Sequence, residues 1–193
     1  YPLGKVMTRF QILRDASTER ITAVHHKNGK AIWLITFGEA GGTTNGVKNT
    51  FSSYKIDENG LNPPLYSVQE ETVSVSGAMK ASPDGQLIAI ADQGDQYVYL
   101  YNFDNETGAI TANIKIFADT GLSAPKSPYG IAFSRDSKML YYSGLVGNTG
   151  SINQYSLENL FPDDPLYSPK KELFSSSGTR FGSIQLANDS KIY

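Results

Sequence analysis

Short apolar segments alternate with tight polar turns along the chain, and one such unit recurs four times. The units cover residues 21–35, 78–91, 131–143 and 183–193. Their turns contain Asn28-Gly29, Asp84-Gly85, Asp136-Ser137 and Asp189-Ser190, which are 56, 52 and 53 residues apart. Asn, Asp and Gly tolerate positive φ angles, and Asx side chains bond to nearby backbone, so each unit is predicted to be a β-hairpin.

Further strand-like segments follow each hairpin. They cover residues 51–56 and 65–68, then 97–103 and 112–117, then 151–157 and 172–175. Tyr97, Tyr99 and Tyr101 alternate with apolar residues, so their rings share one face, which we expect to pack against an adjacent sheet. No window of eleven or more residues shows a 3.6-residue hydrophobic period, and the chain is predicted to be all-β.

Four-stranded units repeating about every 50 residues predict a β-propeller. A β-sandwich also has many short strands, but it does not repeat its turns at this interval. The predicted blades cover residues 20–70, 77–118 and 129–176, with 1–14 as the outer strand of a preceding blade and 180–193 as the inner strands of a following one. We therefore expect a fragment of a larger propeller, although the terminal pieces could instead pair to close a small ring.

Composition and charge narrow the range of functions. The 193 residues include 17 Lys and Arg against 19 Asp and Glu, a net charge of −2, which argues against a nucleic-acid binder that works by bulk positive charge. The chain has no cysteine, which excludes disulfides, cysteine-ligated zinc and a thiol nucleophile. No apolar run approaches the ~18 residues of a membrane-spanning helix.

Chain direction predicts which loops share a face of the propeller. The inner strands begin on the side where one blade connects to the next, and the loops between second and third strands lie there too. Propellers commonly bind ligands or partners with such variable loops. The candidate binding residues on this face are Glu19, Arg20, Tyr129, Arg180 and Phe181. The Gly/Thr-rich insertion 39–48 is interpreted first as a flexible insertion without a role and second as a contact loop.

Searches for catalytic and metal-binding patterns find none. The chain has no Gly-x-Ser-x-Gly elbow, no His-Glu-x-x-His pair and no Walker loop. His25 and His26 are adjacent on a predicted strand and point to opposite faces, so they are interpreted as structural, one ring between blades and one near the turn. No catalytic residue, metal site or cofactor is predicted.

The sequence of residues 77–85 and that of residues 127–134 resemble the blade signature of WD-repeat-like bacterial propellers. Residues 18–36 more narrowly resemble the propeller region of large surface proteins exported by the type IX secretion system of gliding bacteria. That resemblance implies a non-catalytic scaffold or binding module, located outside the cell at its surface. Its partners would be proteins or glycans bound at the propeller face. Components of secretion or cell-surface complexes would be partners as well. The insertion 39–48 and the absence of a sorting domain depart from the family pattern.

The Ser-Pro-Asp-Gly motif of residues 82–85 also resembles a motif of the seven-bladed lactonase family. This second resemblance implies an enzyme that hydrolyses a sugar lactone at the mouth of the central channel. Glu19, Arg20 and Arg180 are the candidates for its acid, base and arginine groups. Convergence of these side chains would favour the enzyme, and their separation would favour the scaffold, which is the main prediction from the sequence.

Overall fold

The computed structural model describes residues 17–39, 48–117, 127–158 and 170–193. Within these ranges the protein is all-β, with strands arranged in three antiparallel sheets. The same ranges hold no helix, and hence none with the length and apolarity that a bilayer crossing needs. The predicted outer strand in residues 1–14 lies outside the described residues, as does almost all of the 39–48 insertion.

Each sheet is one blade, and its strands follow one another in chain order. Blade 1 contains β1 (Ser17–His25), β2 (Ile32–Glu39), β3 (Lys48–Asp57), β4 (Gly60–Leu61) and β5 (Leu65–Val68), with both β4 and β5 pairing β3. Blade 2 contains β6 (Met79–Ala81), β7 (Leu87–Asp92), β8 (Tyr97–Phe103) and β9 (Ile110–Phe117). Blade 3 contains β10 (Ser127–Phe133), β11 (Met139–Val146), β12 (Thr149–Ser156) and β13 (Lys170–Ser177).

The first strands of successive blades lie next to one another. β1 contacts β6, and β6 contacts β10, so the blades are arranged around a shared axis and are not stacked as two layers. Residues 183–193 follow blade 3 as a short hairpin, in which Leu186 pairs with Ile192 and the backbones of Gln185 and Tyr193 exchange two hydrogen bonds. The all-β fold and its partial propeller architecture, predicted from the repeat, are therefore confirmed.

The four predicted turns share one geometry. The N–H groups of Gly29, Gly85, Ser137 and Ser190 donate to the carbonyl three residues earlier, at 2.9–3.0 Å, and these four residues have φ between 60° and 71°. The preceding Asn or Asp oxygen accepts from the N–H two residues further on, at 2.9–3.1 Å. The Asx residue thus contributes its side chain, and only its successor adopts the left-handed conformation.

Blade 2 is buried on both faces, and its strands alternate between the two neighbours. Ile88 and Ile90 of β7 pack with blade 1, whereas Ala89 and Ala91 pack with blade 3. On β8, Tyr99 and Tyr101 join the cluster shared with blade 1, as the tyrosine alternation predicted. Burial raises the pKa of Tyr99 to about 12, so its phenol stays protonated at any physiological pH.

Gly130 brings blade 3 into backbone contact with the 183–193 hairpin. Its N–H donates to the Ser143 hydroxyl at 2.8 Å, and that hydroxyl donates to the Gly182 carbonyl at 2.9 Å. A Cβ on Gly130 would lie 2.4 Å from the Gly182 oxygen and 2.8 Å from the Ile184 nitrogen. Only glycine fits this close approach, because the atoms that it faces belong to the backbone.

We expect Gly130→Ala to destabilise the protein by about 1–3 kcal/mol, because the hairpin must move away from blade 3. Gly182→Ala is the matched control, since nothing lies within 4 Å of a Cβ at that position. Urea unfolding, with amide hydrogen exchange of residues 183–193, measures both effects. Equal stability of the two variants would show that the hairpin does not dock as described.

The Asp136 turn contributes to the stability of the folded protein, and this contribution depends on pH. The Ser134 hydroxyl (2.6 Å) and the Lys138 N–H (3.1 Å) donate to the carboxylate and lower its pKa below the usual 3.8. A carboxylate with a lowered folded pKa stabilises the protein above its unfolded pKa and loses that effect as pH falls through the folded value. We expect the stability difference between wild type and Asp136→Asn to be larger at about pH 6 than at about pH 2. Urea midpoints at the two pH values measure it, and an unchanged difference would contradict the assignment.

Candidate functional site

A cleft of about 320 Å³ lies where the first strands of the blades meet. Residues from β1, β6, β10 and the 183–193 hairpin form its walls, so it occupies the channel side of the propeller; we call it the channel cleft. The lining residues are Glu19, Ile21, Gly77, Ala78, Met79, Lys80, Tyr129, Ser183, Ile184 and Gln185. A smaller cleft of about 170 Å³ shares Lys80 and Gln185 and continues toward Pro83, Phe133 and Leu186.

Glu19 is the acidic group of the channel cleft. Its side chain is exposed, and its Oε1 accepts a hydrogen bond from the Gly77 N–H at 2.5 Å. Gly77 has φ +122°, and a Cβ there would lie 2.1 Å from the Ala91 oxygen. The glycine therefore permits a close approach of this backbone to Ala91 of β7, and the same backbone supplies the N–H that holds the carboxylate.

Arg20, the next residue on β1, points in the opposite direction and is 1% exposed. Nη1 donates to the Ser74 carbonyl at 2.5 Å, and Nη2 donates to the carbonyls of Ser76 (2.7 Å) and Ala91 (2.8 Å). Burial lowers the pKa of the guanidinium, and the negative charges of Asp92 and Glu19 oppose that effect. Arg20 therefore joins blade 1 to blade 2 and to residues 69–78, which connect β5 to β6 and are called the connecting segment, and it does not line the channel cleft.

Asp92 holds the same connecting segment from blade 2. The side chain is fully buried and accepts from the Ser74 N–H at 3.2 Å, from the Ser74 hydroxyl, and from the Gly94 N–H at 3.1 Å. Arg20 therefore binds the carbonyls of the connecting segment, whereas Asp92 binds its N–H and hydroxyl groups. Together they fix the backbone that carries Gly77 into the channel cleft.

Lys80 and Tyr129 are the other chemically active groups that line the channel cleft. Tyr129 was among the predicted binding residues, and its carbonyl accepts from the Ala78 N–H at 2.9 Å, which joins the inner strands of blades 2 and 3. Lys80 and Gln185 were missed by the sequence analysis. Among the described residues no carboxylate lies within 4.0 Å of the Lys80 ammonium.

The two remaining predicted residues lie away from the channel cleft. Arg180 is exposed and does not line it. Phe181 packs on Phe174, with ring centroids 5.7 Å apart, and lies close to Gly150 of β12. Glu19, Arg20 and Arg180 thus do not converge, and the acid, base and arginine set suggested for a lactonase is not formed by these three residues.

The histidine pair occupies separate positions. His25 is exposed, and His26 stacks on Trp33 with ring centroids 5.6 Å apart, while its Nδ1 accepts from the Asn28 N–H. The described residues hold no group of three or more His, Asp or Glu side chains placed to bind a metal. The His26 ring therefore has a packing role beside the turn.

No protein-family model and no curated protein sequence match the chain. Among solved structures, it is similar to a candidate 6-phosphogluconolactonase from Bacteroides uniformis (19% identity, TM-score 0.55) and to a luciferin-regenerating enzyme (17%, 0.51). These alignments cover 89% and 86% of this chain but 45% and 49% of the other two, so the chain spans about half their length. A weaker likeness, TM-score 0.44 at 12% identity, is to the Swd1 β-propeller domain of Myceliophteria thermophila, covering 88% of this chain and 46% of that one.

These neighbours contradict the main functional prediction, a non-catalytic module of an exported surface protein, because the names of both describe enzymes. Nothing among them supports the type IX secretion class. The physical reason lies in residues 18–36, which carried that resemblance. They form β1, the first turn and β2, where Thr22 and Trp33 serve the contact with blade 2, so their pattern reflects blade construction. At 19% identity or below, the likeness itself shows the fold.

We expect Arg20→Met to destabilise the protein by about 3 kcal/mol, because the carbonyls of Ser74, Ser76 and Ala91 lose the hydrogen bonds that the guanidinium donates. Arg180→Met is the matched control, since its exposed side chain can be replaced within about 0.5 kcal/mol. Chemical denaturation of both variants measures the difference. If Arg20→Met were as stable as Arg180→Met, the buried hydrogen bonds of Arg20 would be excluded.

Proposed function

We propose that the protein is a lactonase-type propeller hydrolase, or part of one, that acts on a sugar lactone in the channel cleft. One observation carries the proposal: Glu19, whose carboxylate is held by the Gly77 N–H, lines the same cleft as Lys80 and Tyr129. At about 320 Å³, this cleft falls within the size range of small-molecule sites. The similarity in fold to a candidate 6-phosphogluconolactonase supports the same class of reaction.

Hydrolysis of a lactone adds water across an ester bond. The water oxygen bonds to the carbonyl carbon, the bond from that carbon to the ring oxygen breaks, and the product is a hydroxy acid. Glu19 is suited to take a proton from the attacking water, and that proton ends on the departing ring oxygen. Lys80 is suited to stabilise the negative charge that develops on the carbonyl oxygen.

The other lining groups position the substrate. The Tyr129 phenol and the Gln185 amide can exchange hydrogen bonds with the hydroxyl groups of a sugar ring. Ile21, which is exposed, supplies an apolar contact in the same cleft. A few polar groups among apolar ones is the usual composition of a site that binds a small polar molecule.

The expectations of an extracellular location and of protein, glycan or secretion-complex partners stay predictions. They rest on the resemblance of residues 18–36 alone. The proposed hydrolysis requires none of them, because the groups assigned to it all lie in the channel cleft.

A pH-stat assay of glucono-δ-lactone hydrolysis by the 193-residue protein tests the proposal. We expect turnover above the spontaneous rate, and we expect Glu19→Gln to lower kcat about a hundredfold or more, because the amide cannot accept the water proton. Lys80→Met should lower kcat by a similar factor, because the oxyanion loses its stabilising charge.

Glu58→Gln is the control, since this exposed residue of the β3–β4 turn lies outside the channel cleft. It should keep the wild-type rate. An absence of turnover in the folded wild-type protein, or equal rates for Glu19→Gln and Glu58→Gln, would overturn the proposed function.

A further inference from the structure

A second cleft continues the channel cleft along the inner strands. On blade 2 the channel cleft is lined by residues 77–80, whereas the lining of the smaller cleft includes Lys80 and, in the turn that follows β6, Pro83. The same order holds on the hairpin after blade 3, where Gln185 lines both clefts and Leu186 lines the smaller one alone. The two clefts therefore lie one after the other, and Lys80 and Gln185 mark the boundary between them.

The smaller cleft has a mainly apolar lining, and we call it the apolar cleft. Five of its lining residues are apolar, and Lys80 is the only charged residue in the part of the lining that the structure describes. Ala132 and Phe133 are buried, and Phe133 belongs to the cluster between blades 2 and 3, so packing fixes their positions. The other apolar residues are exposed or half-buried: Ala81, Pro83 and Leu186.

The two clefts differ in the chemistry that they offer to a ligand. The channel cleft contains acidic, basic, phenolic, hydroxyl and amide residues, namely Glu19, Lys80, Tyr129, Ser183 and Gln185. Water finds few hydrogen-bond partners against an apolar lining, so its replacement by an apolar group is favourable. A ligand that fills both clefts therefore has a polar part joined to an apolar part.

The dimensions of the clefts limit the size of the apolar part. An apolar cavity of about 150 Å³ is large enough for benzene. The apolar cleft, at about 170 Å³, therefore has room for a phenyl ring or an alkyl chain of about four to six carbons. Tyr129 of the channel cleft and Phe133 of the apolar cleft are close in sequence on β10, at most about 13 Å apart along a strand. A sugar-sized ring with one such substituent spans that distance.

From these observations we propose that the apolar cleft binds an alkyl or aryl substituent of the molecule whose polar ring occupies the channel cleft. The identity of the ring rests on the proposed function, which makes the preferred substrate a sugar lactone that carries such a substituent. The paired clefts themselves do not depend on the reaction. A binding measurement without a lactone therefore tests this inference separately from hydrolysis.

Isothermal titration calorimetry of the 193-residue protein with methyl and butyl β-D-glucopyranoside measures the contribution of the apolar cleft. Neither compound contains a lactone, so neither is a substrate of the proposed reaction. We expect the butyl compound to bind at least about tenfold more tightly, because its three additional methylene groups leave water for the apolar cleft.

Leu186→Ala removes apolar surface from this cleft and should lower the preference for the butyl compound at least about threefold. Leu61→Ala is the matched control, since Leu61 is also half-buried but lies on β4, outside both clefts. Pro83→Ala should lower the preference as well, and Pro63→Ala is its control, because both prolines are exposed and Pro63 lines neither cleft. Circular dichroism confirms that each variant is folded.

Equal affinity for the two glucosides, or no binding of the butyl glucoside at about 20 mM, would overturn the inference. A preference that neither Leu186→Ala nor Pro83→Ala reduces would overturn it as well, and the pH-stat assay would still decide the proposed hydrolysis. Conversely, preferential binding of the butyl glucoside without any lactone turnover would support the apolar cleft and overturn the proposed function alone.

Discussion

The burial of Arg20 between blades 1 and 2 is the constraint on which the channel cleft depends. Its guanidinium binds carbonyls of Ser74, Ser76 and Ala91, which belong to the connecting segment and to β7. A buried guanidinium is stable only when most of its donors are satisfied, so this geometry admits little variation. Because neighbouring residues of a strand point to opposite sides, an inward Arg20 leaves Glu19 on the exposed side of β1, where the Gly77 N–H holds its carboxylate at the cleft. The blade contact and the acidic group of the cleft thus have one structural cause.

The same alternation explains why the blades form an arc. Each β7 residue packs on one neighbour while the next packs on the other, so blade 2 has no free face. Blade 1 and the 183–193 hairpin have neighbours on one side only among the described residues, and Ile32 and Tyr193 remain exposed there.

The propeller architecture could be predicted from the sequence because the chemistry that forms each turn is local. Asn28, Asp84, Asp136 and Asp189 each fold a turn from their own side chain and the next few amides, so their spacing was enough to identify the blades.

The site was predicted less well. Arg20 was assigned to the same face as Glu19, although strand alternation, already applied to His25 and His26, separates them. Lys80 lies on the inner strand β6, but its presence in the same cleft as Glu19 depends on how blades 1 and 2 meet.

The most direct test of this account observes the Arg20 guanidinium itself. In protein labelled with 15N-arginine, the buried and bonded Nη protons of Arg20 should give separate NMR signals that exchange slowly with water near neutral pH. Those signals should vanish in Arg20→Lys, which identifies them. If the Nη protons of Arg20 exchanged as fast as those of the exposed Arg180, the guanidinium would not be held between the blades, and the placement of Glu19 would lose its physical basis.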